Sequence, residues 1–315
     1  MKNIIAVDLG GTNIRAAYFP APQPPYETIV KIPTEADQGA DHIVDRIAEA
    51  VGQVMPAATE DLRIGVGSPG PIEPRSGVVL HAPNLKGFLN FPLKDHLQNK
   101  LHLPVALGND ADMACLGEWG FGAGKGTRNM LYITISTGIG GGIIINGQLV
   151  VGGAGLAGEI GHMTVDPNGA MCGCGHPGHL EALSSGPSMA RDATAFIEAG
   201  EVSILRSVLE ENGTLTAVDL SEAASKGDEL ARRVIAKAGS YVGLHIANLS
   251  HALNPEAVIL GGGVVNMGEL FLEPVHKAIR ENILHENYLN SMKVVPAMLG
   301  DDAGIIGAMV LATQQ

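Results

Sequence analysis

Only three of the 315 residues are cysteine, too few and too odd in number for a disulfide framework. A reducing cytoplasm is therefore the expected compartment. Long apolar runs are also missing, and nothing approaches the roughly 20 consecutive apolar residues of a membrane span. The N-terminal MKNIIAVDLGG is broken by Asp8 before it reaches the length of a secretory h-region. Basic residues are scarce: 20 Lys and Arg stand against 33 Asp and Glu, a formal net charge of -13, with no basic run. That balance excludes binding through a nucleic-acid backbone. It also means that any anionic phosphate must be held by local amides, dipoles and a metal ion.

What is abundant is glycine, 42 residues gathered in a few turns, within a chain that is 45% hydrophobic and free of low-complexity segments. Such clustering brings backbone close to a ligand. The length suits two domains, or one large one, each with its own core.

Apolar runs and turn residues give a coarse order of elements. Strands are expected at Asn3–Leu9, Ile14–Phe19, Glu27–Ile32, Leu62–Gly67 and Val105–Leu107. Helices are expected at Ala40–Met55, Pro92–Leu101 and Ala111–Gly120. The second half restarts with a strand over Asn129–Ser136, a glycine turn over Thr137–Gly142 and a strand over Ile143–Ile145. IAVDLGGTNIRAA and ITISTGIGGGIII thus form a weak internal repeat of domain size. Helices over Pro187–Glu198, Ser203–Glu210 and Asp228–Leu253 follow, then strands Ala257–Leu260 and Val294–Met298 and a helix over Asp302–Ala312. Strands alternating with helices, and a hairpin opening each half, indicate two α/β domains. The glycine and aspartate loops fall at strand ends, where such sheets bind ligands, so they are expected to line one interdomain cleft.

Four constellations carry chemistry. Asp8-Leu9-Gly10-Gly11-Thr12 sets a carboxylate beside amides and a hydroxyl that suit phosphate, and Asp8 suits Mg²⁺; an ordinary hairpin turn is the plainer reading. Thr137-Gly138 and the following glycines repeat the pattern, and Gly261-Gly262-Gly263 after a strand suits a base or ribose lying against backbone. Asn109-Asp110 stands between a strand and a helix, where Asp110 is either an N-cap or a general base taking a hydroxyl proton. The fourth is EIGHMTVDPNGAMCGCGHPGHLE, Glu159 to Glu181. Its His162, Cys172, Cys174 and His179 match four ligands of a closed, structural zinc site. Cys115, at helical spacing elsewhere, reads as core.

These motifs resemble the repressor/open-reading-frame/kinase family of sugar kinases, within the actin/hexokinase-like (ribonuclease H-like) ATPase superfamily. The resemblance runs over essentially the whole chain: DLGGTNIR from Asp8, GSPGPIE from Gly67, PNL from Pro83, ND from Asn109, STGIGGG from Ser136, EIGH from Glu159, CGCGxxGxxE from Cys172 and LGGG from Leu260. It implies an ATP-dependent hexokinase, glucose being the expected substrate, and N-acetylglucosamine, N-acetylmannosamine, mannose or fructose the alternatives. Asp110 would be the base for the sugar 6-hydroxyl. Ser68, Gly70, Asn84, Asn109, Glu159, His162 and Glu181 would hold the sugar, and Asp8, Gly10, Gly11, Thr12, Asn13, Thr137 and Gly138 the phosphates and Mg²⁺. Gly261, Gly262 and Gly263 would lie near adenosine, and His162, Cys172 and Cys174 would bind zinc. The family pattern C-x-C-G-x-x-G-C-x-E carries a third cysteine where this chain has His179, so a Cys₂His₂ site is expected, more sensitive to mild acid.

The expected domains are residues 1–110 with 300–315, and residues 111–299 carrying the zinc loop 162–179. The expected partners are the hexose and ATP-Mg, in a homodimer or homotetramer, without nucleic acid or membrane. Family repressors carry a helix-turn-helix ahead of the DxGGT hairpin. Here the hairpin starts at residue 4 and no basic helix is seen, so no DNA-binding module is expected.

Overall fold

The computed structural model describes residues 3–314. Two compact units emerge: Met1–Arg128 with Gly142–Gly158 and Ala297–Gln315, and Asn129–Gly141 with Glu159–Pro296. The sequence-based division grouped residues 1–110 with 300–315 and set 111–299 apart; the first compact unit also takes in residues 111–128, 142–158 and 297–299.

The first unit is built on strands β1 (Ile4–Leu9), β2 (Asn13–Phe19), β3 (Thr28–Pro33), β4 (Arg63–Ser68) and, after a small sheet, β8 (Val105–Asn109), in spatial order β3-β2-β1-β4-β8. The hairpin strands pair antiparallel, while β4 and β8 run parallel to β1. The small antiparallel sheet is β5 (Ile72–Glu73), β6 (Val78–His81) and β7 (Leu89–Phe91), which the sequence pattern missed because its strands hold two to four residues.

Alternation along β4 shows why helices cover both faces of the main sheet. Ile64 and Val66 join one apolar cluster with Ile43 and Ile47 of α1 (Ala40–Gln53) and Leu97 of α2 (Leu93–Leu101). On the other face a Cβ at Gly65 would stand 1.8 Å from the Ala308 carbonyl oxygen of α11 (Ala303–Thr313). The same face receives α3 (Asp110–Phe121), where a Cβ at Gly67 would meet Met113 at 2.9 Å. Helices α3 and α11 approach each other just as closely, since a Cβ at Gly117 would lie 2.3 Å from the Ala303 carbonyl oxygen. Glu118 is fully buried on α3 and accepts backbone N–H groups from Ala123, Met298 and Leu299 at 2.7–2.9 Å. Three backbone donors make this buried carboxylate a clasp for two chain segments.

The second large sheet runs β11-β10-β9-β12-β13: β9 (Met130–Ile135), β10 (Ile139–Ile145), β11 (Gln148–Leu149), β12 (Ala257–Gly261) and β13 (Lys293–Pro296). Its order repeats that of the first sheet, a three-strand ribbon followed by two parallel strands. The weak internal repeat in sequence is therefore a repeat of topology. The expected glycine turn shortens, because Gly140–Gly142 lie inside β10. Gly142 is small for packing: a Cβ there would sit 2.4 Å from Cys115 Cβ. Cys115 is core, as its spacing implied, and burial pushes its thiol up.

Helices α4 (Leu180–Ser184), α5 (Gly186–Glu198), α6 (Leu205–Asn212), α7 (Ala217–Ser225), α8 (Glu229–Leu253), α9 (Glu269–Asn282) and α10 (Glu286–Ser291) complete the second unit. The 25-residue α8 starts at an Asp228 N-cap, whose Oδ1 accepts the Ala231 N–H at 2.8 Å. Gly239 and Gly243 let α9 approach α8 at backbone distance, their Cβ positions falling 2.8 and 2.3 Å from the carbonyl oxygens of Phe271 and Val275. Among the described residues no helix is long and apolar enough to cross a membrane.

Candidate functional site

At the first hairpin the turn Gly10–Asn13 joins paired Leu9 and Ile14, and is closed by the Gly10 N–H on the Asn13 carbonyl at 2.9 Å. Thr34 buttresses it, its N–H on the Thr12 carbonyl and its hydroxyl on the Gly10 carbonyl. Gly11 and Thr12 remain exposed at the tip. Burial pushes the Asp8 carboxyl up, Arg15 opposes the shift and Asp301 adds to it. Arg15 is itself engaged by the Asp302 carboxylate and the Asp301 carbonyl. A sheltered carboxylate with so divided a counter-charge is a fitting hard-oxygen ligand for Mg²⁺.

At the start of α3 the structure separates two roles that the sequence left open. Asn109 is the N-cap: its Oδ1 accepts from Ala111 N–H at 2.8 Å and Asp112 N–H at 3.4 Å. Its Nδ2 donates to the Gly70 carbonyl at 3.0 Å. One N–H is all that Asn109 keeps for a ligand. Asp110 occupies the first helical position, with Oδ1 2.8 Å from the Ala111 N–H. A carboxylate there gains from the helix dipole without being needed as the cap. Gly70 adopts φ +86, and a Cβ would stand 2.2 Å from the His81 carbonyl oxygen, so glycine is required there by the chain itself. Ser68 is buried at the end of β4, directly across from Asn109. Asn84 is exposed in the loop after β6, its Cβ 3.5 Å from where Gly11 would carry one.

The second hairpin turns over Ser136–Gly138, with Ser136 N–H on the Gly138 carbonyl at 2.8 Å. Glu181, in the first turn of α4, reaches this turn through Oε2, which accepts the Ile139 N–H at 2.9 Å. A Cβ on Gly138 would fall 2.6 Å from that same oxygen. The segment Glu159–His162 is pressed on the strand start in the same way: a Cβ at Gly161 would lie 2.0 Å from the Ile139 carbonyl oxygen. The glycine of EIGH is thus a packing requirement, and it places Glu159 before and His162 within the 3-10 helix Ile160–His162.

His162, Cys172, Cys174 and His179 converge, one ligand atom from each lying within 4.8 Å of all the others. Cys172 Sγ is 3.8 Å from His162 Nδ1, and Cys174 Sγ is 3.2 Å from His179 Nδ1. A tetrahedron with Zn–S and Zn–N bonds of ordinary length has edges of about 3.3–3.8 Å, so the donor set fits zinc. The backbone holds the loop: the Cys172 N–H donates to the His176 carbonyl at 2.9 Å, Thr164 bridges to His179, and Met171 bridges to Pro177. Gly178, at φ +70, has no room for a side chain against the Asp166 carbonyl. Sequence reasoning passed over His176. Its Nδ1 lies 3.8 Å from Cys174 Sγ, and its ring stacks on His179 at a centroid distance of 5.6 Å. That contact, foremost, lowers the Cys174 thiol to about 6, whereas burial raises Cys172.

A cavity of about 720 Å³ opens between the turn at Thr137 and the first residues of α7. Of Gly261, Gly262 and Gly263, only Gly263 lines it. Gly261 and Gly262 face protein, their Cβ positions 2.3 Å from the Tyr132 hydroxyl and the Ile135 carbonyl oxygen. The wall contributed by Thr214–Val218 and Ser221–Glu222 carried no sequence signal, because no motif spans a helix start.

Three similarities place these features. The chain is 40% identical to a glucokinase of Halalkalibacterium halodurans over 318 residues, 99% of this chain and 95% of that one. It superposes on a ROK hexokinase from Thermus thermophilus with a TM-score of 0.84 at 34% identity, covering 99% and 98% of the two chains. A ROK glucokinase from Streptomyces griseus, solved with glucose and AMPPNP, gives 0.80 at 35% identity, covering 99% and 100%. The α/β architecture is accordingly the actin/hexokinase-like one. With a family model matching residues 4–315, the chain belongs to the ROK family.

Proposed function

We propose that this chain transfers the γ-phosphoryl group of ATP to the 6-hydroxyl of glucose. Likeness to glucokinases over nearly the full chain supports the reaction. The observation that supports the residue assignment is at the start of α3, where Asn109 is the N-cap and Asp110 stands at the first helical position. Asp110 takes the proton of the 6-hydroxyl as O6 attacks the γ-phosphorus; the bond from γ-phosphorus to the β,γ-bridging oxygen breaks, and ADP carries the electron pair away.

Amides and hydroxyls of Gly10–Asn13 and Thr137–Gly138 face the phosphates, and the cavity beside Thr137 takes the nucleoside. Asp8 would hold Mg²⁺, which when bound neutralises phosphate charge. Glu159, His162 and Glu181 orient sugar hydroxyls, with the single remaining N–H of Asn109, and with Ser68, Gly70 and Asn84. Zinc, held by His162, Cys172, Cys174 and His179, would stiffen the loop that carries these groups and take no part in phosphoryl transfer. Pre-ordered acceptors lower the entropic cost of gripping a polar sugar.

A coupled assay of ADP release over glucose, mannose, fructose, N-acetylglucosamine and N-acetylmannosamine tests the reading. Glucose should give the highest kcat/KM. Absence of turnover with every hexose overturns it.

A further inference from the structure

The cavity beside Thr137 has a charge pattern that its size alone does not require. Of the side chains lining it, Glu222 is the only charged one, and no lysine or arginine shares the wall. The surroundings are otherwise apolar or neutral, such as Pro187, Val218 and Met267. Helix α7 sets Glu222 in place. Thr216 and Asp219 form a reciprocal capping box at its start, with the Thr216 N–H on Asp219 Oδ2 at 2.7 Å. Asp219 is therefore spent on the helix. Leu220, Ala223 and Ala224 are buried, so α7 cannot turn about its axis. The Lys226 ammonium stands 4.0 Å from Glu222 Oε2, both side chains being mostly exposed. A pair so exposed is weak and leaves the carboxylate available to a ligand.

A linear polyphosphate is anionic at every unit and carries almost no hydrogen-bond donors. A carboxylate in a wall that contributes no lysine or arginine, with the exposed Lys226 paired to it only weakly at 4.0 Å, disfavours it. A nucleoside carries ribose hydroxyls and an exocyclic amino group, donors that a carboxylate accepts well. We infer that Glu222 determines donor specificity, accepting hydrogen bonds from the nucleoside part of a nucleoside triphosphate and excluding polyphosphate. The inference rests on the ATP-dependent reading above and adds to it the residue that selects the donor.

The test uses the full chain with Glu222→Gln and Glu222→Ala. Calorimetric titration with AMPPNP should show Kd raised about 10- to 100-fold in the alanine variant, as befits loss of hydrogen bonds to a charged acceptor. In the kinase assay the loss should appear in KM for ATP and not in kcat. Wild-type protein should use polyphosphate at less than a tenth of its rate with ATP. Titration with 2′,3′-dideoxy-ATP and with inosine triphosphate then identifies the group read: the analogue lacking it binds the wild type weakly and loses nothing further in Glu222→Ala. The inference is overturned by unchanged AMPPNP affinity in both variants, by polyphosphate serving as well as ATP, or by both analogues losing affinity equally in wild type and variant. Failure of the kinase reading itself shows separately, as AMPPNP binding without turnover of any hexose.

Discussion

Glu181 Oε2 accepts the backbone N–H of Ile139 at 2.9 Å, across 42 residues of sequence. The bond ties the helix that follows the cysteine loop to the turn at Thr137–Gly138. The other carboxylate oxygen lies 3.8 Å from Cys172 Sγ. A residue proposed to hold the sugar is thus also a strut between the cysteine loop and the turn proposed to hold phosphate. On the proposed function, that dual engagement would couple two ligands through one side chain.

Glu181→Ala should therefore raise KM for glucose by about 10- to 100-fold and KM for ATP as well, since Ile139 loses its acceptor. Glu181→Gln keeps an acceptor oxygen and should leave KM for ATP within about threefold of wild type, a modest change by the same reckoning. Steady-state kinetics with each substrate varied in turn decides it. A purely sugar-binding role would move the glucose KM alone.

The neighbours Asn109 and Asp110 should separate stability from chemistry. Asp110→Ala should lower kcat by about 10²–10⁴-fold while leaving the melting temperature nearly unmoved, because the cap stays in place. Asn109→Ala should cost about 1 kcal/mol of stability or more, since it removes the cap and the bond to Gly70 together. Thermal unfolding beside kinetics on the two variants checks both. A near-normal kcat in Asp110→Ala removes the base assignment.

These pairs show how far the sequence could be read. Both hairpins, the central strands and the Cys/His cluster were legible, because each is a local pattern of apolar residues, glycine or metal ligands. Helix α9 was not: Pro274 lies inside it and obscures the periodicity, and only its packing on Gly239 and Gly243 of α8 accounts for its place. The glycines of Gly261–Gly263 looked alike in sequence, yet two serve packing and one faces the cavity. The sequence offered Asp110 as either cap or base, and only the folded backbone shows that the cap is Asn109. The Glu181–Ile139 bond depends on a tertiary contact that no spacing encodes.

At the metal loop, His176 stands as a partner of the Cys174 sulfur outside the four-ligand set. Purified protein should hold one zinc per chain. His176→Ala should raise the zinc Kd by about 10- to 100-fold with the stoichiometry unchanged, the usual effect of losing a group that orients a ligand. Competition with a chromophoric chelator measures it, and the Co²⁺-substituted protein should keep a tetrahedral spectrum. A change to a non-tetrahedral spectrum in His176→Ala would instead make His176 a ligand.

His245 gives the pH dependence of folding. It lies buried on α8, 2% exposed, and its Nε2 has no hydrogen-bond partner. Burial lowers its pKa from 6.5 to about 4. The folded chain therefore keeps His245 neutral over a range in which the unfolded chain binds a proton. The stability associated with the neutral ring is complete above 6.5 and declines as the pH falls from 6.5 towards 4; below that both states are charged and the decline stops. At 1.36 kcal/mol per pH unit the loss is about 1.4 kcal/mol by pH 5.5 and about 3 kcal/mol in full. His245→Leu removes the titrating group and keeps the volume, so it should flatten this part of the profile. Urea unfolding of wild type and variant at pH 7.5, 6.5 and 5.5 tests this. Acid effects on the zinc loop are common to both proteins and cancel in the difference. The difference should shift in the variant's favour by about 1.4 kcal/mol between pH 7.5 and 5.5. A difference that does not change with pH would mean that the ring titrates alike in the folded and unfolded chains, contrary to its buried place on α8.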